Sequence, residues 1–208
     1  MTTPSIAIVH LDESCLGNGR DGATPGGAGG LIEVRHGGVV ERRDFWLADR
    51  DTTNNRMALE GATRLLELLA AKGKRLRVLA VSDSEYLVKG IREWLPGWVT
   101  KGWRRKAGPI ENLERWQALH AALRLHDASW AWVRGHAGHP KNEYANDLAV
   151  RAATEQTTSD GIVASGFGPW LAEARRRGKY LAFDPDAAFA RLESLVAAGA
   201  PIPLALKE

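Results

Sequence analysis

The sequence predicts an α/β domain, a mixed five-stranded sheet flanked by helices, followed by a short helical extension. Two observations carry this. Three strand-like stretches come first, and strand and helix patterns then alternate, giving the order β-β-β-α-β-α-α-β-α. Beyond Thr157 the composition changes, so the domain is read as residues 1–156 and the extension as residues 157–208.

The elements follow in order. Ser5–Asp12 (SIAIVHLD) is apolar on both alternating faces, as a central strand would be. Gly17–Gly30 reads as a glycine-rich loop, after which Gly30–Val34 and Val39–Trp46 pair across His36-Gly37-Gly38 as a hairpin. From Asn55 to Lys72, Ala58, Ala62, Leu65, Leu66 and Leu69 make one helical stripe, opposite Glu60, Arg64 and Glu67. Leu76–Ser82 is a second buried strand, and helices are expected over Ser84–Trp94 and Glu111–Leu125. A short strand, Ser129–Val133, and a helix from Asn142 to Glu155 complete the domain. In the extension, Thr157–Gly168 reads as a linker, and Pro169–Gly178 and Pro185–Ala198 as two short helices. If the first and fourth strands pair in parallel, Asp12 and Asp83 lie side by side at their C-terminal ends, where such sheets bind ligands.

Composition narrows the function classes. The 208 residues are 44% hydrophobic and 25% charged, ordinary for a soluble globular protein. No apolar run approaches the roughly 18 residues of a membrane span, and MTTPSIAIVH lacks a basic stretch and a cleavage site. No membrane partner and a cytoplasmic location are expected. One cysteine, Cys15, excludes an internal disulfide and a cysteine-based zinc site. A net charge of +3 is too small by itself to imply nucleic acid. The local distribution says more. Trp94, Trp98, Trp103 and Trp116 share one segment with Lys101, Arg104, Arg105 and Lys106. That segment is either a small aromatic core ringed by solvated charges or a ridge offering cations to a phosphate backbone.

Several stretches, in this order, resemble type-1 ribonucleases H over residues 5–155. They are Asp12-Glu13-Ser14-Cys15-Leu16-Gly17-Asn18, Thr52-Thr53-Asn54-Asn55-Arg56-Met57, Ser82-Asp83-Ser84 and Trp132-Val133-Arg134-Gly135-His136-Ala137-Gly138-His139-Pro140. The Trp-rich segment is similar to the family's basic protrusion, which grips the DNA strand. That resemblance implies a monomeric, metal-dependent endonuclease that hydrolyses the RNA strand of an RNA–DNA hybrid. Two Mg²⁺ (or Mn²⁺) ions about 4 Å apart would activate a water and stabilise the leaving oxygen. Clustered carboxylates suit such hard ions. By resemblance Asp12 bridges both ions, Asp83 binds the ion that activates water, and His136 shuttles protons or helps release product. Asn18, Asn54 and Asn55 match minor-groove contacts, and Thr53 matches a DNA-phosphate contact. Cys15 and Glu85 fall at substrate-facing positions, Glu85 where the family has a glutamine. Trp94, Trp98, Lys101, Trp103, Arg104 and Arg105 belong to the protrusion. Asn54-Asn55 also reads as a helix N-cap.

Two positions depart from the family's pattern. Ala58 stands where a metal-binding glutamate is expected, and Asn146 where an aspartate is expected. Glu13, in place of the usual glycine, is the best compensating carboxylate. Glu60 faces outward and Asp147 is spaced to pair with Arg151. Asn146 can still ligate through its amide oxygen. The site is thus read either as a natural variant rebuilt around Asp12, Glu13, Asp83 and Asn146, or as an inactivated protein. An added Glu13 favours the first, because removing charge would not place one there. The competing classes are a hybrid- or double-strand-binding module without chemistry, and another ribonuclease H-like enzyme such as an exonuclease or transposase core.

Overall fold

The computed structural model describes residues 5–17 and 24–206; Asn18 lies outside them. The first strand, β1 (Ile6–Cys15), is the axis of the sheet. It pairs antiparallel with β2 (Gly26–His36), which pairs antiparallel with β3 (Val39–Asp49). Gly37 and Gly38, both with positive φ, make the two-residue turn between them. On its other side β1 runs parallel to β4 (Arg77–Ser82), which runs parallel to β5 (Asp127–Trp132). A sixth strand, β6 (Val163–Ala164), lengthens the expected five-stranded sheet by pairing with Arg43 and Asp44 of β3. It comes from the stretch read as a linker, whose polar residues bond the open edge of β3, as when Ser159 N–H reaches the Trp46 carbonyl at 2.9 Å.

Alternation along β1 sorts the core into two layers. Ala7, Val9 and Leu11 face α1 (Asn54–Ala70), and Leu59, Ala62, Leu65 and Leu66 close over them. Beside α1 lie α2 (Glu85–Lys89), a π-helical stretch Gly90–Trp94, α3 (Leu95–Thr100) and α4 (Leu113–Leu123). The single helix expected over Ser84–Trp94 is widened there because Pro96 lacks an N–H and its ring would meet the Arg92 carbonyl.

The opposite face carries α5 (Pro140–Glu155), α6 (Phe167–Arg176) and α7 (Pro185–Ala197). Here the residues read as a glycine-rich loop form part of β2. Gly29 explains why a glycine stands in a strand: a Cβ would come within 2.6 Å of the Ala145 carbonyl of α5. Since Gly29 is the register partner of Asp12, this close approach brings α5 down beside Asp12.

The extension is packed into the sheet. Phe189, Leu192 and Val196 of α7 form one buried cluster with Ile8, Leu79, Val81, Ala131 and Val133. The tail then follows β5, with Trp132 N–H on the Leu204 carbonyl at 2.7 Å and Leu206 N–H on the Trp132 carbonyl at 2.9 Å. Phe189 is fully buried. Truncating it should lower unfolding stability by about 3–5 kcal/mol. Urea unfolding of Phe189→Ala should therefore shift in one cooperative transition. Loss of an early, separate transition with the sheet unchanged would show that α7 is an independent appendage.

Candidate active site

The parallel pairing of β1 and β4 ends at Leu11 opposite Ser82, so Asp12 and Asp83 emerge next to each other. Beyond this point β4 stops and β1 continues to Cys15, leaving that edge of β1 open. The Asn142 side-chain amide donates to Asp12 Oδ2 at 3.0 Å and lies close enough to Asp83 to oppose the rise in its pKa. The other Asp12 oxygen accepts the Glu13 N–H at 2.7 Å.

Glu13 points to the other face of the sheet. Its register partner Ala28 lies on the α1 side, where a Cβ on Gly61 would meet the Ala28 Cβ at 2.7 Å. Ala58 is one turn earlier on α1 and is buried in the same layer. The added carboxylate of Glu13 thus enters from β1 on the side where Ala58 contributes only a methyl group. Ser84 stands at the N-cap of α2 without making a side-chain cap bond. Its hydroxyl lies near enough to the Glu13 carboxylate to oppose the rise in its pKa.

These acids disturb one another. Burial, then the neighbouring Asp83 and Glu13, push Asp12 up to about 9. Burial, with Asp83 nearby, pushes Glu13 up to about 8. Asp83 is also raised by burial, against the opposing effect of hydrogen bonds and His136. Such a set favours protons or a cation. Among the described residues no three His, Cys, Asp or Glu side chains form a ready-made metal cage. Mg²⁺ takes one or two carboxylates and completes its octahedron with waters and substrate phosphate. The donors Asp12, Asp83, Glu13 and the amide oxygens of α5 are all hard oxygen ligands, and they fit such an ion.

His136 is exposed, with a left-handed backbone (φ 51°), and it lies near enough to Asp83 to lower its pKa. Gly135 beneath it admits no side chain: a Cβ would sit 2.2 Å from Asp83 Oδ2. Asn146 follows Asn142 by four residues, so it shares that face of α5 and is half-buried. The two remaining acids are engaged elsewhere. Glu60, expected to be solvated, bonds Arg115 of α4 at 3.1 Å. Asp147, expected to pair with Arg151, accepts the Trp170 indole N–H at 2.7 Å, and Arg151 lies over the Trp46 ring.

The ribonuclease H family model, RNase H, matches residues 4–154. The chain belongs to the ribonuclease H family. The ribonuclease H of Methylococcus capsulatus is 39% identical over 164 residues, covering 78% of this chain and 98% of that protein. That of Ruegeria sp. is 41% identical over 161 residues, covering 76% and 98%. The crystal structure of LC9-RNase H1, described as a type 1 RNase H with the type 2 active-site motif, superposes with a TM-score of 0.79. It is 45% identical, covering 89% of this chain and 93% of that one.

On this ribonuclease H the residues expected to face substrate fall into two groups. Thr53 caps α1, its hydroxyl accepting the Arg56 N–H at 3.3 Å, so the N-cap is Thr53 rather than the asparagine pair. Asn54 and Asn55 open the helix half-buried, and Asn54 Oδ1 has no hydrogen-bond partner among the described residues. Cys15 is half-buried beside them, its thiol pushed up to about 11 by burial and so protonated at neutral pH. Glu85 is exposed and salt-bridged to Lys89 at 2.7 Å. The second group is the Trp-rich segment, which forms a small aromatic core with exposed cations beside it. Trp116 is fully buried, with Trp94, Trp98 and Tyr86 packed round it. Trp103 is half-buried against His120. Lys101, Arg104 and Arg105 stay exposed along a cavity of about 480 Å³.

Asn142, Ser84 and Gly135 are site residues that the sequence reading did not single out. Asn142 had a signal, since it opens the same Asn-Glu-x-x run that leads to Asn146. Ser84 stood in the Ser82-Asp83-Ser84 stretch, but a serine after a strand reads equally well as an ordinary cap.

The raised acids give a pH prediction. Their folded-state pKa lies above that of the unfolded chain, so metal-free stability should fall as pH rises from about 4, the ordinary carboxylate range, to about 9. In chelator, Asp12→Asn should melt several degrees above the parent at pH 9 and close to it at pH 4. A gap that does not widen with pH would contradict the mutual repulsion.

Proposed function

We propose that this ribonuclease H hydrolyses the RNA strand of RNA–DNA hybrids as an endonuclease, using Mg²⁺ or Mn²⁺ held by Asp12, Glu13, Asp83 and the Asn146 amide oxygen. The observation that carries this is the parallel pairing of β1 and β4, which brings Asp12 and Asp83 out side by side at the open edge of β1, with the Asn142 amide on Asp12. Divalent ions, when bound, would polarise the attacking water and stabilise the leaving oxygen. The chain's own groups do the rest. Asp12 and Asp83 supply negative charge from adjacent strands, and Glu13 adds charge from the α1 side. His136, on its exposed turn, exchanges protons with the phosphate or the departing product. Asn54 and Asn55 offer amide donors and acceptors to base edges and 2′-hydroxyls, with Thr53 at a DNA phosphate. Lys101, Arg104 and Arg105 meet the DNA backbone over the Trp94–Trp98–Trp103 ridge.

A rebuilt natural site is favoured over an inactivated one. A 45% identical solved relative is itself described as carrying the type 2 active-site motif on a type 1 fold, so departure from the usual pattern has a natural precedent. A single cysteine and no disulfide fit a reducing, cytoplasmic setting, and the chain is read as acting as a monomer.

A labelled hybrid incubated with Mg²⁺, Mn²⁺ or chelator tests this. RNA should be cut with either ion, more readily with Mn²⁺, and left intact in chelator. Asp12→Asn and Glu13→Gln should each slow cleavage by about 100-fold or more, as removing a preorganised electrostatic group does. Hybrid that binds but stays whole in excess Mn²⁺ would leave the binding-only reading.

A further inference from the structure

We infer that the C-terminal extension is a positioning element for the active site, clamping the first turns of α5 so that Asn142 and Asn146 face the Asp12–Asp83 crevice while neighbouring carboxylates are held away. This rests on the metal-dependent reading above and adds a role for residues outside the family match.

The observation is how α5 is gripped. Lys141 is buried, pairs with Glu33 at 2.7 Å and donates to the Pro185 carbonyl at 3.1 Å. Glu143 accepts the Tyr180 hydroxyl. Tyr144 bonds Asp44, and the same carboxylate takes the Ser165 hydroxyl at 2.7 Å and the Gly166 N–H at 2.9 Å. The Tyr144 ring meets Phe167 and Trp170 edge-on. Asp147 accepts the Trp170 indole N–H at 2.7 Å. Lys141, Glu143, Tyr144 and Asp147 are thus all tied to residues between Ser165 and Pro185, directly or through a shared carboxylate. Asn142, among them, turns to the two catalytic acids.

The physical need follows from the neutral ligands. A carboxylate is drawn toward a cation by a long-range Coulomb force and tolerates some looseness. An amide oxygen has only a dipole, so it must already be in place. Helix ends fray, and Asn142 and Asn146 lie in the first two turns of α5. Two carboxylates, Glu143 and Asp147, stand next to these asparagines in the chain, and hydrogen bonds from Tyr180 and Trp170 hold both away from the crevice. Tyr180 also adopts a left-handed backbone (φ 56°), uncommon for a bulky residue and sustained only where its surroundings fix it. Its ring stacks on Trp170 with centroids 5.8 Å apart.

The test uses full-length Trp170→Phe, Tyr180→Phe and the double variant, which keep an aromatic ring at each position and lose only the donor. Mg²⁺ is titrated into the free protein while the side-chain amide NMR signals of Asn142 and Asn146 are followed, and hybrid cleavage is measured in parallel. The double variant should need about fivefold more Mg²⁺ for half-saturation, the scale of one lost hydrogen bond. Its metal-free amide signals should shift, its KM for hybrid should stay unchanged, and the cleavage defect should shrink at high Mg²⁺. A melting temperature that drops while the Mg²⁺ midpoint and the amide signals stay put would overturn the inference, leaving the extension a stabilising appendage. A parent protein that takes up no Mg²⁺ at all would instead sink the metal-dependent reading, and the metal-free amide signals would still report on the clamp.

Discussion

Two like charges emerging side by side from the parallel pair β1–β4 are the constraint on which this structure turns. Burial first, and then the neighbouring carboxylates, raise the proton affinity of these acids, pushing Asp12 up to about 9 and Glu13 to about 8. A fold bears that penalty only if something repays it. Here the fold brings neutral partners to the acids. Asn142 donates to Asp12 and lies near Asp83, Ser84 opposes the rise in the pKa of Glu13, and Gly135 leaves room for Asp83. Glycine at position 29 belongs to the same arrangement, because without it α5 could not lie close enough for Asn142 to reach Asp12.

The substitutions at Ala58 and Asn146 change how the crevice is built. On the proposed reading, Glu13, opposite Ala28, supplies across the same layer the charge that the family draws from α1, and the Asn146 amide stands in for the charge drawn from α5. Such a site would lean less on electrostatic attraction and more on prior placement by packing. Phe167, Trp170 and Tyr180 pack around the outer side of α5, and α7 lies beneath the sheet.

Much of this was legible in the residues. Ser5–Asp12, apolar on both alternating faces, marked a strand covered on both sides, and the stripe Ala58–Leu69 marked the helix that covers one of them. The positions of Asp12 and Asp83 followed from strand ends and a parallel pairing alone. Other features were not legible for physical reasons. Gly26–Gly30 read as a loop because glycine lowers strand propensity, whereas here it serves close helix approach. The two-residue β6 is too short to show any period. The partners of Asp147 and Glu60 could not be read from spacing along a helix, because Trp170 and Arg115 reach them from other elements. The π-helical stretch before Pro96 likewise depends on local geometry rather than on pattern.

The most direct test of the central claim is anomalous diffraction from crystals of the protein soaked in Mn²⁺ with an uncleavable hybrid. The account predicts manganese density between Asp12 and Asp83 beside a phosphate of the RNA strand, with Glu13 or Asn146 completing the ligands. Manganese bound elsewhere, or a phosphate seated in the crevice with no ion between it and the two aspartates, would contradict it.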